Sequence, residues 1–113
     1  VLPGGYAAGE HLAADPAVTA VFCANDEVAI GLIRAMHEHG RRVPQDVSVV
    51  GFDGLSLGEY SFPPLTTVRQ DFRRAGSEMV GLVLEQVDSG VGGGARQILI
   101  PTELVVRGST ASA

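Results

Sequence analysis

An α/β fold, with a parallel sheet flanked by helices, is what this sequence predicts, and two features predict it. Short apolar runs of strand length alternate with stretches of helical periodicity, the order that builds parallel sheets covered by helices. Two of those runs, residues 18–24 and 47–52, are nearly unbroken in apolar residues, as strands buried on both faces of a parallel sheet are. Each run closes on a polar residue, Asn25 and Asp53. Ligands of open parallel sheets bind just outside the carboxyl ends of the strands. Asn25 and Asp53 therefore mark a candidate small-molecule site, although the spacing alone does not name the ligand.

Taken in order, residues 6–14 have helix composition, and Asp15-Pro16 ends it because the residue before proline avoids the α region. The strand 18–24 follows. A helix opens at Asn25-Asp26-Glu27, where short polar side chains cap free N–H groups. Its apolar face is Ala29, Leu32, Ile33 and Met36. Gly40 stops it, and Arg41-Arg42 sit where the negative helix end favours cations. Residues 43–46 turn into the strand 47–52. Residues 54–64, rich in Gly, Ser and Pro, read as a loop with room for one helical turn. Pro63-Pro64 leads into a short strand, 65–69. A long helix over 72–87 carries Phe72, Ala75, Met79, Leu82 and Val83, with Val80, Leu84 and Val87 on a second flank. So wide a stripe predicts packing on more than one neighbour. Residues 89–94 form a glycine-rich hinge or turn without the Gly-Lys-Ser/Thr of a phosphate loop. An extended segment, 97–107, bends at Pro101, and the small polar tail 108–113 is expected to fray. So few elements cannot cover both faces of a parallel sheet, which makes this segment look like part of a larger body.

The bulk numbers agree. The chain has 113 residues, 45% hydrophobic and 19% charged, which suits a folded core of small-domain size. Net charge is −5 with no basic run, so this segment is not expected to grip a nucleic-acid backbone. The one cysteine, Cys23, excludes an internal disulfide and reads as a buried small hydrophobe. No apolar stretch reaches the ~20 residues of a membrane span, and no signal peptide is visible. Because the chain begins at Val1 rather than Met, its true N-terminus is expected to lie upstream.

Each singled-out residue has a plain structural role beside a functional one. Asn25 is a favoured helix cap, and cap and ligand roles can coexist at a strand-to-helix turn. Asp26 and Glu27 fit the first helical turn, where carboxylates complement the dipole. Asp53, before Gly54, either organises a turn or meets a ligand at the sheet edge. His37 and His39 point to different helix faces and cannot chelate together, and His11 is isolated, so no metal is expected. No nucleophile–base arrangement or cofactor motif emerges, so no enzyme activity is expected.

Three stretches together resemble one family. They are Ala24-Asn25-Asp26-Glu27-Val28-Ala29-Ile30-Gly31, Val43-Pro44-Gln45-Asp46-Val47-Ser48-Val49-Val50-Gly51-Phe52-Asp53, and Pro63-Pro64-Leu65-Thr66-Thr67-Val68-Arg69-Gln70. In this order and spacing they are similar to the C-terminal half of the effector-binding core of lactose-repressor (LacI/GalR) family transcription regulators. Gly5-Tyr6 also resembles a Gly-aromatic pair that opens a helix there. The resemblance implies a type I periplasmic-binding-protein-like fold of two subdomains with a ligand cleft between them. Residues 1–113 would be part of the effector-binding domain, with the DNA-binding headpiece, the hinge and most of the N-terminal subdomain upstream of Val1. The helix 72–87 would belong to the N-terminal subdomain. By position, Asn25 and Asp53 match residues that hydrogen-bond the effector, and Gln70 and Phe72 match cleft-lining positions. The implied partners are a small effector, a sugar being the expected class, a second copy of the chain, and operator DNA through the headpiece. The dimer contacts would use this subdomain, the helix over 26–39 among them. The implied location is the cytoplasm. Gly54 departs from the Asp or Asn of the regulators, and Gly-Phe-Asp-Gly also occurs in periplasmic sugar-binding proteins of the same fold. An exported solute receptor is therefore the rival expectation.

Overall fold

The computed structural model describes residues 1–89 and 96–112, in two compact units. The first comprises Val1–Arg69 with Glu103–Ala113, the second Gln70–Thr102. The chain runs α1 (Leu2–Ala13), β1 (Ala20–Phe22), α2 (Asp26–Glu38), β2 (Ser48–Asp53), α3 (Ser56–Glu59), β3 (Thr66–Arg69), α4 (Phe72–Asp88) and β4 (Glu103–Val105). The sheet order is β1-β2-β3-β4. The first three strands are parallel, as expected, while β4 pairs antiparallel with β3. An antiparallel edge strand on an otherwise parallel sheet is common, and it leaves the α/β class intact.

Helix α1 starts at Leu2, four residues before the expected start. Gly4 and Gly5 weigh against a helix on propensity, but packing against α2 outweighs that. Gly5 and Gly9 of α1 and Gly31 of α2 are where the two backbones meet. A Cβ at Gly5 would overlap the Val28 carbonyl, one at Gly31 the Leu2 carbonyl, and one at Gly9 would lie 2.7 Å from the Ala35 Cβ. Gly5-Tyr6 accordingly sits inside α1 and does not open it. Pro3 is tolerated in the first turn, where its missing N–H would have had no partner.

The core lies between α2 and the sheet. Cys23, Ala29, Leu32, Ile33, Met36, Val47, Val49 and Leu65 are buried together. Three of the four residues expected on the inner face of α2 are within a few per cent of full burial, and Ile33 is close behind. Burial raises the Cys23 thiol to about 11, so it packs as a neutral group. The first strand differs from expectation. It was read as buried on both faces, yet β1 is an edge strand and Phe22 is 66% exposed. In β2, Val49 and Gly51 are buried while Ser48, Val50 and Phe52 are only half-buried.

Two surface segments are held more firmly than the sequence suggests. The tail does not fray. The Ser109 hydroxyl donates to the Val49 carbonyl (2.5 Å) and accepts from the Thr66 N–H (2.8 Å), and Val49 N–H donates to the Ser109 carbonyl (2.9 Å). Ser109 is fully buried, bridging β2 and β3. A seryl side chain in this place supplies donor and acceptor to two strands at once. Arg41, expected to serve the end of α2, instead donates to the carbonyls of Asp15 (3.0 Å) and Val18 (2.6 Å), closing the connection from α1 to β1.

In the second unit, α4 spans nearly the expected residues, capped by Asp71, whose carboxylate accepts from the Arg74 N–H (3.0 Å). None of its residues is buried. Phe72, Met79, Val80, Val83, Leu84 and Val87 are all exposed large hydrophobics. Of the expected glycine-rich hinge, residues 90–94 lie outside the described residues.

The glycine contacts give a paired test by chemical denaturation. Gly5→Ala should lose about 1–3 kcal/mol, since the added methyl must displace α2 backbone. Gly4→Ala, where a Cβ meets nothing within 4 Å, should be neutral or stabilising by up to about 1 kcal/mol. Equal effects at the two positions would contradict the close helix approach.

Candidate functional site

The carboxyl edge of β1 and β2 carries the two polar residues marked in the sequence. The ladder pairs Phe22 with Val50, and Cys23 N–H continues it by donating to the Val50 carbonyl at 2.8 Å. Asn25 follows three residues after the end of β1, and Asp53 is the last residue of β2. Asn25 has an extended backbone (φ −158°, ψ 172°) as the N-cap of α2. Its Oδ1 accepts from the Val28 N–H at 2.9 Å, the cap expected of it. The cap uses one side of the amide, and the Nδ2 hydrogens are the side that can donate outward.

Asp53 ends β2, opposite Arg69 of β3, and is half-buried. Its φ is 113°, the one positive value at a non-glycine residue among the described residues. Gly54 follows at φ 78° and packs against Arg69, whose Cα would lie 2.8 Å from an added Cβ. Asp tolerates positive φ better than most residues, but the conformation still carries strain that the surroundings must hold. Such outliers gather at binding and catalytic sites.

What holds this turn is a residue the sequence reading assigned only to the helix dipole. Asp26 is fully buried. Its Oδ1 accepts from the Thr67 hydroxyl at 2.6 Å, and its Oδ2 from the Leu55 N–H at 2.7 Å. The carboxylate thus ties the start of α2 to β3 and to the backbone two residues beyond Asp53. Gly51 makes room for it, since a Cβ there would overlap Oδ1. The signal in the sequence was indirect: a carboxylate beside the cap, a glycine on the facing strand, and two threonines in β3.

Gln70 and Phe72, the other two sequence candidates, lie in the second unit, Gln70 between β3 and α4 and Phe72 as the first residue of α4. Phe72 is exposed. Asn25 and Asp53 thus belong to the first unit, and Gln70 and Phe72 to the second. Among the described residues, no group of three His, Cys, Asp or Glu side chains converges to hold a metal ion.

A concavity that the sequence does not announce runs between α2, the turn after it and α3. It encloses about 580 Å³ and is lined by Ile30, Ile33, His37, Val43, Leu57 and Phe62 among others. Phe62 is 95% exposed and Tyr60 nearly as much. Apolar residues in a Gly, Ser and Pro-rich loop were the available signal. One wall is pinned by Arg42 and Asp46. The Asp46 carboxylate accepts from the Arg42 backbone N–H (2.7 Å), Nε (3.0 Å) and Nη2 (3.1 Å).

Three lines of similarity bear on this geometry. The family described as periplasmic binding protein-like domain matches residues 3–110. The HTH-type transcriptional regulator MalR of Streptomyces coelicolor is 46% identical over 112 residues, 99% of this chain and 32% of the relative. A LacI family transcriptional regulator from Enterococcus faecium with bound ribose superposes at a TM-score of 0.87 with 34% identity, covering 97% of this chain and 40% of that one. The lac repressor dimer bound to operator and the anti-inducer ONPF superposes at 0.84 with 38% identity, covering 96% and 37%. This chain thus spans about a third of the relatives it matches.

The pinned turn gives a pH test. Hydrogen bonds from Arg42 lower the Asp46 carboxyl from 3.8 to about 2. A depressed folded value means the contact is whole above the ordinary value and is lost as pH falls toward about 2. Titration followed by NMR should show Asp46 ionised at pH 3, whereas in Arg42→Ala its midpoint should return toward 3.8. An unchanged midpoint would mean the pair is not formed in solution.

Proposed function

Since the chain belongs to the periplasmic-binding-protein-like family, in the branch of the LacI-type transcription regulators, we propose that it is the sensing part of such a regulator. It binds a small sugar at the edge formed by Asn25 and Asp53. The observation that carries this reading is Asp53 at the carboxyl end of β2, held at φ 113° where an aspartate is costly, with Asn25 capping the helix that follows the neighbouring strand. A carboxylate accepts hydrogen bonds from neighbouring hydroxyls and an amide donates to their oxygens, which is the chemistry a sugar presents. Gln70 and Phe72 are proposed as further ligand residues on their sequence positions alone. The ribose-bound regulator from Enterococcus faecium supports the ligand class.

Control of DNA binding rests on the relatives, which are transcription regulators and include a repressor dimer on its operator. This favours a regulator over an exported solute receptor, and a cytoplasmic location is proposed with it. No helix among the described residues is long and apolar enough to cross a membrane. The headpiece that meets operator DNA would be a different part of the protein, in keeping with the net charge of −5 here. A ligand shifts the presentation of two headpieces only by its differential affinity for two arrangements of the domain. The α2–α3 groove, with Phe62 and Tyr60 at its rim, is the proposed contact with a second copy. The exposed stripe of α4 is proposed to pack on the rest of the effector-binding domain.

In the full-length regulator, Asp53→Asn keeps the shape and tolerates positive φ but removes the charge. Calorimetry with D-ribose, cellobiose and lactose should show the sugar that binds the wild type losing about tenfold or more in affinity, the cost of one charged hydrogen bond. Unaltered affinity would remove Asp53 from the site. Phe62→Glu should turn a dimer into a monomer by light scattering, and a persistent dimer would place the interface elsewhere.

A further inference from the structure

The buried Asp26 carboxylate has a role that neither helix capping nor core packing explains. It spans three elements, accepting from Thr67 Oγ1 at 2.6 Å and from Leu55 N–H at 2.7 Å. Leu55 is the residue after Gly54, so its N–H closes the turn that begins at Asp53. Asp53 and Gly54 are both at positive φ (113° and 78°), a run the chain does not adopt unaided. The same carboxylate sits one residue after Asn25, whose own side chain caps the helix. A shift of Asp26 therefore moves both members of the polar pair.

We propose that Asp26 is a positioning residue for effector binding: its carboxylate clamps the Leu55 N–H, and this holds Asp53 in the conformation that presents it at the sheet edge beside Asn25. The inference rests on the sugar-sensing reading for its effect on affinity, but not for its effect on the Asp53 backbone. Asp26 touches no ligand. It acts through the turn, and Thr67 fixes its second oxygen so that the first cannot swing away. Asparagine could serve in its place. Its Oδ1 can accept from Leu55 N–H while its Nδ2 donates to the Thr67 hydroxyl, which is also an acceptor. Alanine could not. A second probe acts on the other half of the clamp. Leu55 has φ −66°, the value proline imposes, so Leu55→Pro removes the N–H at a φ that proline accepts.

The test uses the full-length regulator in four variants: Asp26→Ala, Asp26→Asn, Leu55→Pro, and Val49→Ala as a core control that lowers stability away from the clamp. Two readings are taken on each. The first, without ligand, is the Asp53 φ, from a crystal structure or its amide–Hα coupling. The second is calorimetric affinity for whichever of D-ribose, cellobiose and lactose the wild type binds. Asp26→Ala and Leu55→Pro should release Asp53 to negative φ and lower affinity about tenfold or more, as loss of a charged hydrogen bond to ligand does. Asp26→Asn should restore both readings, and Val49→Ala should alter neither, whatever its melting temperature. If Asp26→Ala fails to fold, Leu55→Pro decides alone. Asp53 remaining at positive φ in Leu55→Pro overturns the proposal, as does an affinity loss in Val49→Ala equal to that in Leu55→Pro. If the wild type binds none of the three sugars, the ligand class falls, and the Asp53 φ still decides the clamp.

Discussion

A buried carboxylate is expensive unless its oxygens have donors, and the first unit supplies one to each oxygen of Asp26. One oxygen takes the Thr67 hydroxyl and the other the Leu55 N–H. Gly51 leaves the space it occupies. Three elements that meet at the carboxyl edge of the sheet are thereby held to a single group: the start of α2, the turn after β2, and β3. Replacing one partner would leave an unpaired charge or a lost donor inside the core, so the arrangement stands or falls together.

Around that point the rest is ordinary packing. Glycines at 5, 9 and 31 let α1 lie against α2, and α2 lays Ala29, Leu32, Ile33 and Met36 on the sheet. Ser109 laces the tail across β2 and β3. This packing bears on the proposed sensing, because a ligand contact set by less than an ångström needs residues whose own positions are over-determined. The regions left exposed are apolar surfaces: the rim of the α2–α3 groove and the stripe of α4. Exposed apolar patches of this kind mark contacts with other protein, which suits a segment that spans about a third of its relatives.

Much of this was legible from residue order. The parallel strands, the cap at Asn25, the inner face of α2 and the span of α4 all follow from periodicity and end signals, which are local properties. The end of β2 at Asp53 was legible too, because the run before it is apolar. What was not legible depended on tertiary contact. Gly4-Gly5 looks like a loop until α2 is placed beside it. Ser109 looks like a fraying tail until two strands offer it partners. Phe22 sits in an apolar run yet is exposed, because side chains alternate along a strand and its neighbour Val21 takes the face that packs on the core. Asp26 reads as a dipole carboxylate because nothing local shows that Leu55 and Thr67 will meet it. Gln70 and Phe72 were placed by resemblance, and the geometry of the first unit bears only on Asn25 and Asp53.

The most direct test is to map binding residue by residue. Isotope-labelled full-length regulator would be titrated with D-ribose, cellobiose and lactose while its amide shifts are followed by NMR. The account predicts that one of these sugars perturbs Asn25, Asp53 and their strand ends first and most, with Leu55 following. Perturbation confined to the α2–α3 groove, or to none of these residues, would contradict it.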